Sequence, residues 1–190
     1  MQSMRSQRGA MMIEILITLG ITVIGLYAIL ELHKQLQRSE VESYQRTQAL
    51  MLINDMASRL ETNRGGVASY LTDTTTPFYG AGMACPTAIT SVAERDIRAW
   101  CLSLQGAAET LSGNSVGALI AGRGCIEETV AGSGQYMLTV AWQGLGPVAA
   151  PPASVACGFG LYNDAAGEDT GCVNELCRRV VTTMVRIADL

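Results

Sequence analysis

The sequence predicts an α+β protein: one long N-terminal helix, half membrane-spanning and half packed on a head, followed by a head built on an antiparallel sheet. Three observations carry this expectation. Residues 10–30 are apolar apart from Glu14 and two threonines, no proline occurs before Pro77, and β-branched or alternating segments gather after residue 115. The layout that follows is a leader at 1–9, a helix at 10–63 whose first part (10–30) is the membrane span, and a globular head at 64–190.

The leader, MQSMRSQRG, is short, polar and basic, and the apolar run behind it is long enough to cross a bilayer as a helix. Arg5 and Arg8 precede the run, whereas Glu31, His33 and Lys34 follow it with mixed charge. The positive-inside bias keeps the N-terminus cytoplasmic and places the head outside the inner membrane. A secretory signal peptide also begins with a basic stretch and an apolar core. It fits less well, because this run exceeds the usual core length, lacks a small-x-small cleavage site and carries a carboxylate near its start.

Glu14 also separates this segment from a plain anchor. A carboxylate in an apolar span costs on the order of 2.5–3.5 kcal/mol at the centre and less near the edge, so it calls for a partner. A cut after Gly9 would give Ala10 a free amine one helical turn from Glu14. In an assembly that amine could pair with a neighbour's carboxylate, which would offset the burial and fix axial register.

Good helix formers continue from Glu31 to Asn63, so the helix is expected to run on beyond the membrane as a rod roughly 80 Å long at about 1.5 Å per residue. Apolar positions are sparse from 33 to 48, and then Ala49, Leu50, Ile53, Met56, Ala57 and Leu60 recur at helical spacing, which docks the second half on a core. Arg59, Arg64 and Gly65-Gly66 mark its end. His33 reads as an exposed helical residue, Tyr27 as an interfacial or packing aromatic and Tyr44 as a helix-surface contact.

In the head, the Thr-, Gly- and Pro-rich stretch from Gly65 to Ser91 predicts a long loop pinned by Cys85. Ile97, Trp100, Cys101, Leu104, Ala108 and Leu111 mark one face of a short helix with Glu94 and Asp96 in its first turn and Trp100 in the core. Strands are expected at Val116–Thr129, interrupted by Gly122-Arg123-Gly124, at Gln135–Gln143, and at Arg179–Ile187. In the second, Tyr136, Leu138, Val140 and Trp142 share one face and Met137, Thr139, Ala141 and Gln143 the other, one of which a sheet packed on the helix would bury. Gly144 to Pro152 follows as a loop.

Cys85, Cys101, Cys125, Cys157, Cys172 and Cys177 are even in number and confined to the head, which fits disulfides formed outside the cytoplasm. Six cysteines allow about fifteen pairings; Cys85 with Cys101 or Cys125 is preferred, with two bridges among the later ones. The Cys172-x4-Cys177 spacing has no second cysteine pair or nearby histidine to complete a zinc site. The acidic loop Asn163, Asp164, Glu168, Asp169 has oxygen ligands but not EF-hand spacing, so no metal and no cofactor is expected. One histidine leaves no Ser-His or Cys-His set, and the glycines follow no phosphate-loop pattern, so no catalytic residues are assigned. The formal charge of −4 becomes more negative once Arg5 and Arg8 leave with the leader, and Arg178, Arg179 and Arg186 read as solvated strand-end charges, so no nucleic acid is expected.

Arg8-Gly9 followed by Ala10-Met11-Met12-Ile13-Glu14 and an apolar helix resembles the type IV prepilin motif. The resemblance implies a pilin-like fold, a membrane peptidase that cuts between Gly9 and Ala10 and methylates Ala10, and Glu14 as the determinant of methylation and of subunit register. Ala10 stands where phenylalanine is common, a departure that fits a minor subunit better than the major one. Asn54-Asp55-Met56-Ala57 and Asn63-Arg64 at the end of the helix, Trp142-Gln143, and Arg178-Arg179-Val180-Val181 are similar to PilV-type minor pilins, with Gly144–Cys177 matching only loosely. That likeness implies a subunit that primes pilus assembly and sits in a tip complex. Its partners would be the prepilin peptidase, other minor pilins and the major pilin through their N-terminal helices, and a large tip adhesin. It would be a single-pass inner-membrane protein that passes into the pilus. A minor pseudopilin of type II secretion shares the N-terminal logic and is the alternative; a binding module tethered by one helix is a further one and gives Glu14 no role.

Overall fold

The computed structural model of the chain describes residues 7–107, 110–111, 114–115, 117, 119–165 and 167–188, with side chains described from residue 11 onward except at 110–111 and 114–115. The expected leader falls largely outside the described residues. The chain divides into two compact units, Met1–Val41 and Glu42–Leu190. Helix α1 (Gln7–Thr62) contributes to both.

In the first unit every described side chain from Met11 to Val41 is exposed, including the whole apolar run. In the second unit α1 buries Gln45, Ala49, Ile53, Met56 and Leu60, one stripe at steps of three and four residues. Leu50, expected on that stripe, is 43% exposed, because a residue next to Ala49 is turned about 100° around the axis.

The expected loop after Gly65 is more ordered than its composition suggests. A 3₁₀ helix, Arg64–Tyr70, takes over from α1, and strand β1 (Tyr79–Gly80) pairs with Gly124 and Arg123. The two glycines expected to stop α1 lie within this 3₁₀ turn. The Asn63 side chain lies 2.8 Å from where a Cβ on Gly66 would sit.

Helix α2 (Val92–Leu104) starts with a capping box that the sequence spells out as Ser91-x-x-Glu94. Ser91 Oγ accepts from Glu94 N–H at 3.1 Å, and the Glu94 carboxylate accepts from Ser91 N–H at 3.0 Å. The helix ends earlier than expected, since Gly106 has φ +77° and turns the chain away. Ala108 lies outside the described residues, and Leu111 belongs to β2 (Thr110–Leu111), paired with β3 (Asn114–Ser115).

The main sheet has the order β1-β4-β5-β6, with β4 at Arg123–Glu128, β5 at Gln135–Gln143 and β6 at Arg178–Arg186, all antiparallel. Strand β5 has the expected bounds, and β6 is shifted by one residue. Strand β4 is shorter than the expected 116–129, and Val116 lies outside the described residues. Of Gly122-Arg123-Gly124, expected as an interruption, Arg123 and Gly124 open the strand instead, and Gly122 lies just before it. A Cβ on Gly124 would sit 2.2 Å from the Trp100 ring, so glycine is what lets the strand lie against that indole.

Both faces of β5 are buried over residues 138–142, not one. Leu138, Val140 and Trp142 join Ile126, Trp100 and the α1 stripe in the main core. On the other face Ala141 and Cys125 pack with Cys157 and Tyr162 in a smaller cluster, and Thr139 is buried as well. Its cover comes from the 144–177 segment, which sequence composition marks only as loop.

Candidate functional site

The expected site residues lie at the start of α1. Gly9 and Ala10 are helical in backbone, and their side chains lie outside the described residues. Glu14 is exposed on the same helix. Neighbouring polar side chains are satisfied within the helix: Thr18 Oγ1 donates to Ile15 O at 2.9 Å and Thr22 Oγ1 to Thr18 O at 2.7 Å. Glu14 has no hydrogen-bond or ion-pair partner among the described residues. It stands among Met11, Met12, Ile13, Ile15, Leu16 and Ile17, each more than half exposed. By length and composition this helix can cross a membrane, and in that setting the threonines cost little while the carboxylate has no compensating partner among the described residues. Tyr27 is exposed at 70%, and Tyr44 accepts from Gln48 Nε2 at 3.2 Å.

The six cysteines form three bridges, Cys85–Cys101, Cys125–Cys157 and Cys172–Cys177. The first pins the 65–91 segment to α2, one of the two preferred pairings. The second staples the 144–177 segment to the outer face of β4, and the third closes the turn that leads into β6.

No family model, curated protein or solved structure matches the chain.

Arg178 and Arg179 are not solvated. Arg178 is 1% exposed; its Nε faces Glu175 Oε2, and its Nη1 donates to Val155 O at 2.8 Å and Cys157 O at 3.0 Å. Glu175 Oε1 accepts from Gly160 N–H at 2.9 Å and Asn163 Nδ2 at 3.1 Å. One buried ion pair therefore gathers four points of the 144–177 segment. Arg179 donates to Glu42 Oε1 at 3.2 Å and to the carbonyls of Leu176 and Gly146. Only Arg186 remains exposed. An Arg-Arg pair at a strand start reads the same whether it points inward or outward, so no sequence signal marks this.

Two carboxylates of the acidic loop, Asp164 and Glu168, are bonded within the loop itself. Asp164 accepts from the hydroxyl and N–H of Thr170 and from Cys172 N–H, and the Thr170 hydroxyl, then those amides, hold its carboxyl below the usual range. Among the described residues no three His, Cys, Asp or Glu side chains converge as metal ligands. A shallow cleft of about 390 Å³ lies between Thr72–Thr74, Pro77, Glu127 and Ala156–Cys157. Burial raises the Glu127 carboxyl there, while Asp73 Oδ1 is taken up by the amides of Thr75 and Thr76.

Proposed function

We infer that this chain is a minor pilin that primes assembly of a type IV pilus and resides in its tip complex. The observation that carries the reading is Glu14, a carboxylate with no partner of its own among the described residues, on an exposed apolar helix whose threonines are bonded internally. Such a group needs a counter-charge from another molecule. Cleavage after Gly9 by a prepilin peptidase supplies one, the methylated amine of Ala10 on a neighbouring subunit. The oxidised head adds support, because three disulfides suit a domain exported across the inner membrane.

In this reading α1 enters the filament core beside the helices of other minor pilins and the major pilin, and the head makes lateral contacts and carries a large adhesin above it. The test compares a strain lacking the gene with one restored by the wild-type gene or by Glu14→Leu, counting surface pili and assaying secreted enzymes in parallel. Loss of pili with normal secretion, restored by wild type and not by Glu14→Leu at equal protein level, supports the assignment. Normal pili with blocked secretion would overturn it in favour of a type II secretion pseudopilin, and full rescue by Glu14→Leu would favour a tethered module.

A further inference from the structure

One edge of the main sheet is closed and the other is open. On the β4 side, Thr72 N–H donates to Ile126 O at 2.9 Å, Thr72 Oγ1 accepts from Ile126 N–H at 3.1 Å, β1 pairs with Gly124, and Ala81 N–H reaches Gly122 O at 2.8 Å. Strand β6 has β5 on one side only.

The ladder determines which groups of β6 remain. Thr129 N–H donates to Gln135 O and Gln143 N–H to Ile120 O, so the odd-numbered residues of β5 direct their backbone toward β4 and the even-numbered ones toward β6. Through the register Trp142↔Arg179 to Tyr136↔Val185, the odd-numbered residues of β6 bond to β5, and Ile187 N–H to Gly134 O continues the pattern. The N–H and C=O groups of Val180, Thr182, Met184 and Arg186 therefore point away from the sheet. Among the described residues no backbone group pairs with them.

Proteins blunt such edges with short strands, bulges, prolines or charges. Strand β6 runs nine residues in unbroken register, and Val180-Val181-Thr182-Thr183-Met184-Val185 contains no charge and no proline. On the sheet face away from the main core, Thr182, Met184 and Arg186 are exposed, Met184 at 55%. Arg186 has no ion-pair partner among the described residues.

We propose that the open edge of β6 accepts an extended strand from a different polypeptide. The strand lies antiparallel, with an acidic residue opposite Arg186 and apolar or β-branched residues opposite Met184 and Val180. Backbone pairing supplies affinity, and the side chains on the shared face supply register. A second copy of this chain fits less well, because β6 contains no acid to set opposite Arg186 when two β6 strands pair. The inference rests on sheet geometry and does not depend on the filament assignment.

The test uses the full chain in detergent micelles and the labelled peptide Glu-Thr-Val-Thr-Val-Thr-Val, whose first residue falls opposite Arg186. Adding peptide is expected to slow amide exchange at Thr182 and Met184 at least tenfold, while Val181 and Thr183, already bonded to β5, change little. Thr182→Pro removes an outward N–H without touching the β5 ladder and is expected to weaken peptide binding at least tenfold; should it unfold the head, Met184→Lys tests the same edge. A peptide with Lys first should bind more weakly. The proposal is overturned if exchange at Thr182 and Met184 does not slow, if Thr182→Pro and Met184→Lys bind as wild type does, or if the same amides become protected by raising the chain concentration alone, which would make a second copy the occupant.

Discussion

The indole N–H of Trp100 donates to the backbone carbonyl of Leu52 at 2.9 Å, tying the middle of α2 to the helix that runs through the core. Its ring also lies over Gly124 of β4 and meets Tyr79 edge-on at 6.2 Å between centroids. One side chain thus joins helix to helix and helix to sheet.

Gly124→Ala should therefore destabilise the head by about 2 kcal/mol or more, since its Cβ would overlap the ring. Trp100→Phe should cost about 2–3 kcal/mol through a lost hydrogen bond and a small void. In the double variant the smaller ring makes room for the methyl, so the two effects should fall short of additive by about 1 kcal/mol in a double-mutant cycle measured by urea unfolding.

Replacing Arg178 by Ala leaves the Glu175 carboxylate buried and unpaired, and a cost of about 3–5 kcal/mol is expected. Arg178→Met with Glu175→Leu should cost less than Arg178→Ala alone, because no buried charge remains. Denaturant midpoints of the two variants and the wild type check the order.

Alkaline pH should weaken the head. Burial, then its hydrogen bond to Asp96 (2.6 Å), pushes the Tyr70 phenol up to about 12, and burial raises Tyr79 to about 12 as well. A raised phenol contributes stability that is fully present below its unfolded value near 10 and is lost as the pH climbs through the folded value. Unfolding free energy should therefore stay level across neutral pH and fall above about pH 10. Tyr70→Phe should reduce that slope without abolishing it, as Tyr79 remains.

The bridges should differ in worth. Cys125–Cys157 closes a loop with separation 32 and Cys172–Cys177 one with separation 5. On loop entropy their removal should cost about 4 and about 2 kcal/mol respectively. Serine substitution of Cys125 with Cys157 should also open the 144–177 segment to protease, since it frees that cover, Tyr162 included, from Ala141.

Sequence patterns with a local cause were legible. The α1 stripe Ala49, Ile53, Met56, Leu60 follows from helical period, the bounds of β5 from strict alternation, and the even cysteine set from its confinement to the head. What escaped depends on partners far along the chain. Arg178 turns inward only because Glu175 and two loop carbonyls wait there, Gly124 is a strand residue only because Trp100 lies on it, and Asp96 serves Arg59 and Tyr70 instead of only its own helix end. Gln45, 1% exposed, was missed because a lone amide on a polar stretch carries no sign of burial. For Glu14 the sequence supplies the oddity, a carboxylate within an apolar run, and the structure adds that its side chain is exposed.

The three disulfides are strictly sequential: Cys85 joins Cys101, Cys125 joins Cys157 and Cys172 joins Cys177, each closing before the next begins. A head threaded through a translocation pore from its N-terminal side would present its thiols in the order in which they pair. Each cysteine's first available companion is then its native one, so oxidation can keep step with emergence and no mispaired bond has to be undone. With nested or crossed bridges, a head emerging in this way would keep its early cysteines waiting, exposed, for partners that had not yet come through.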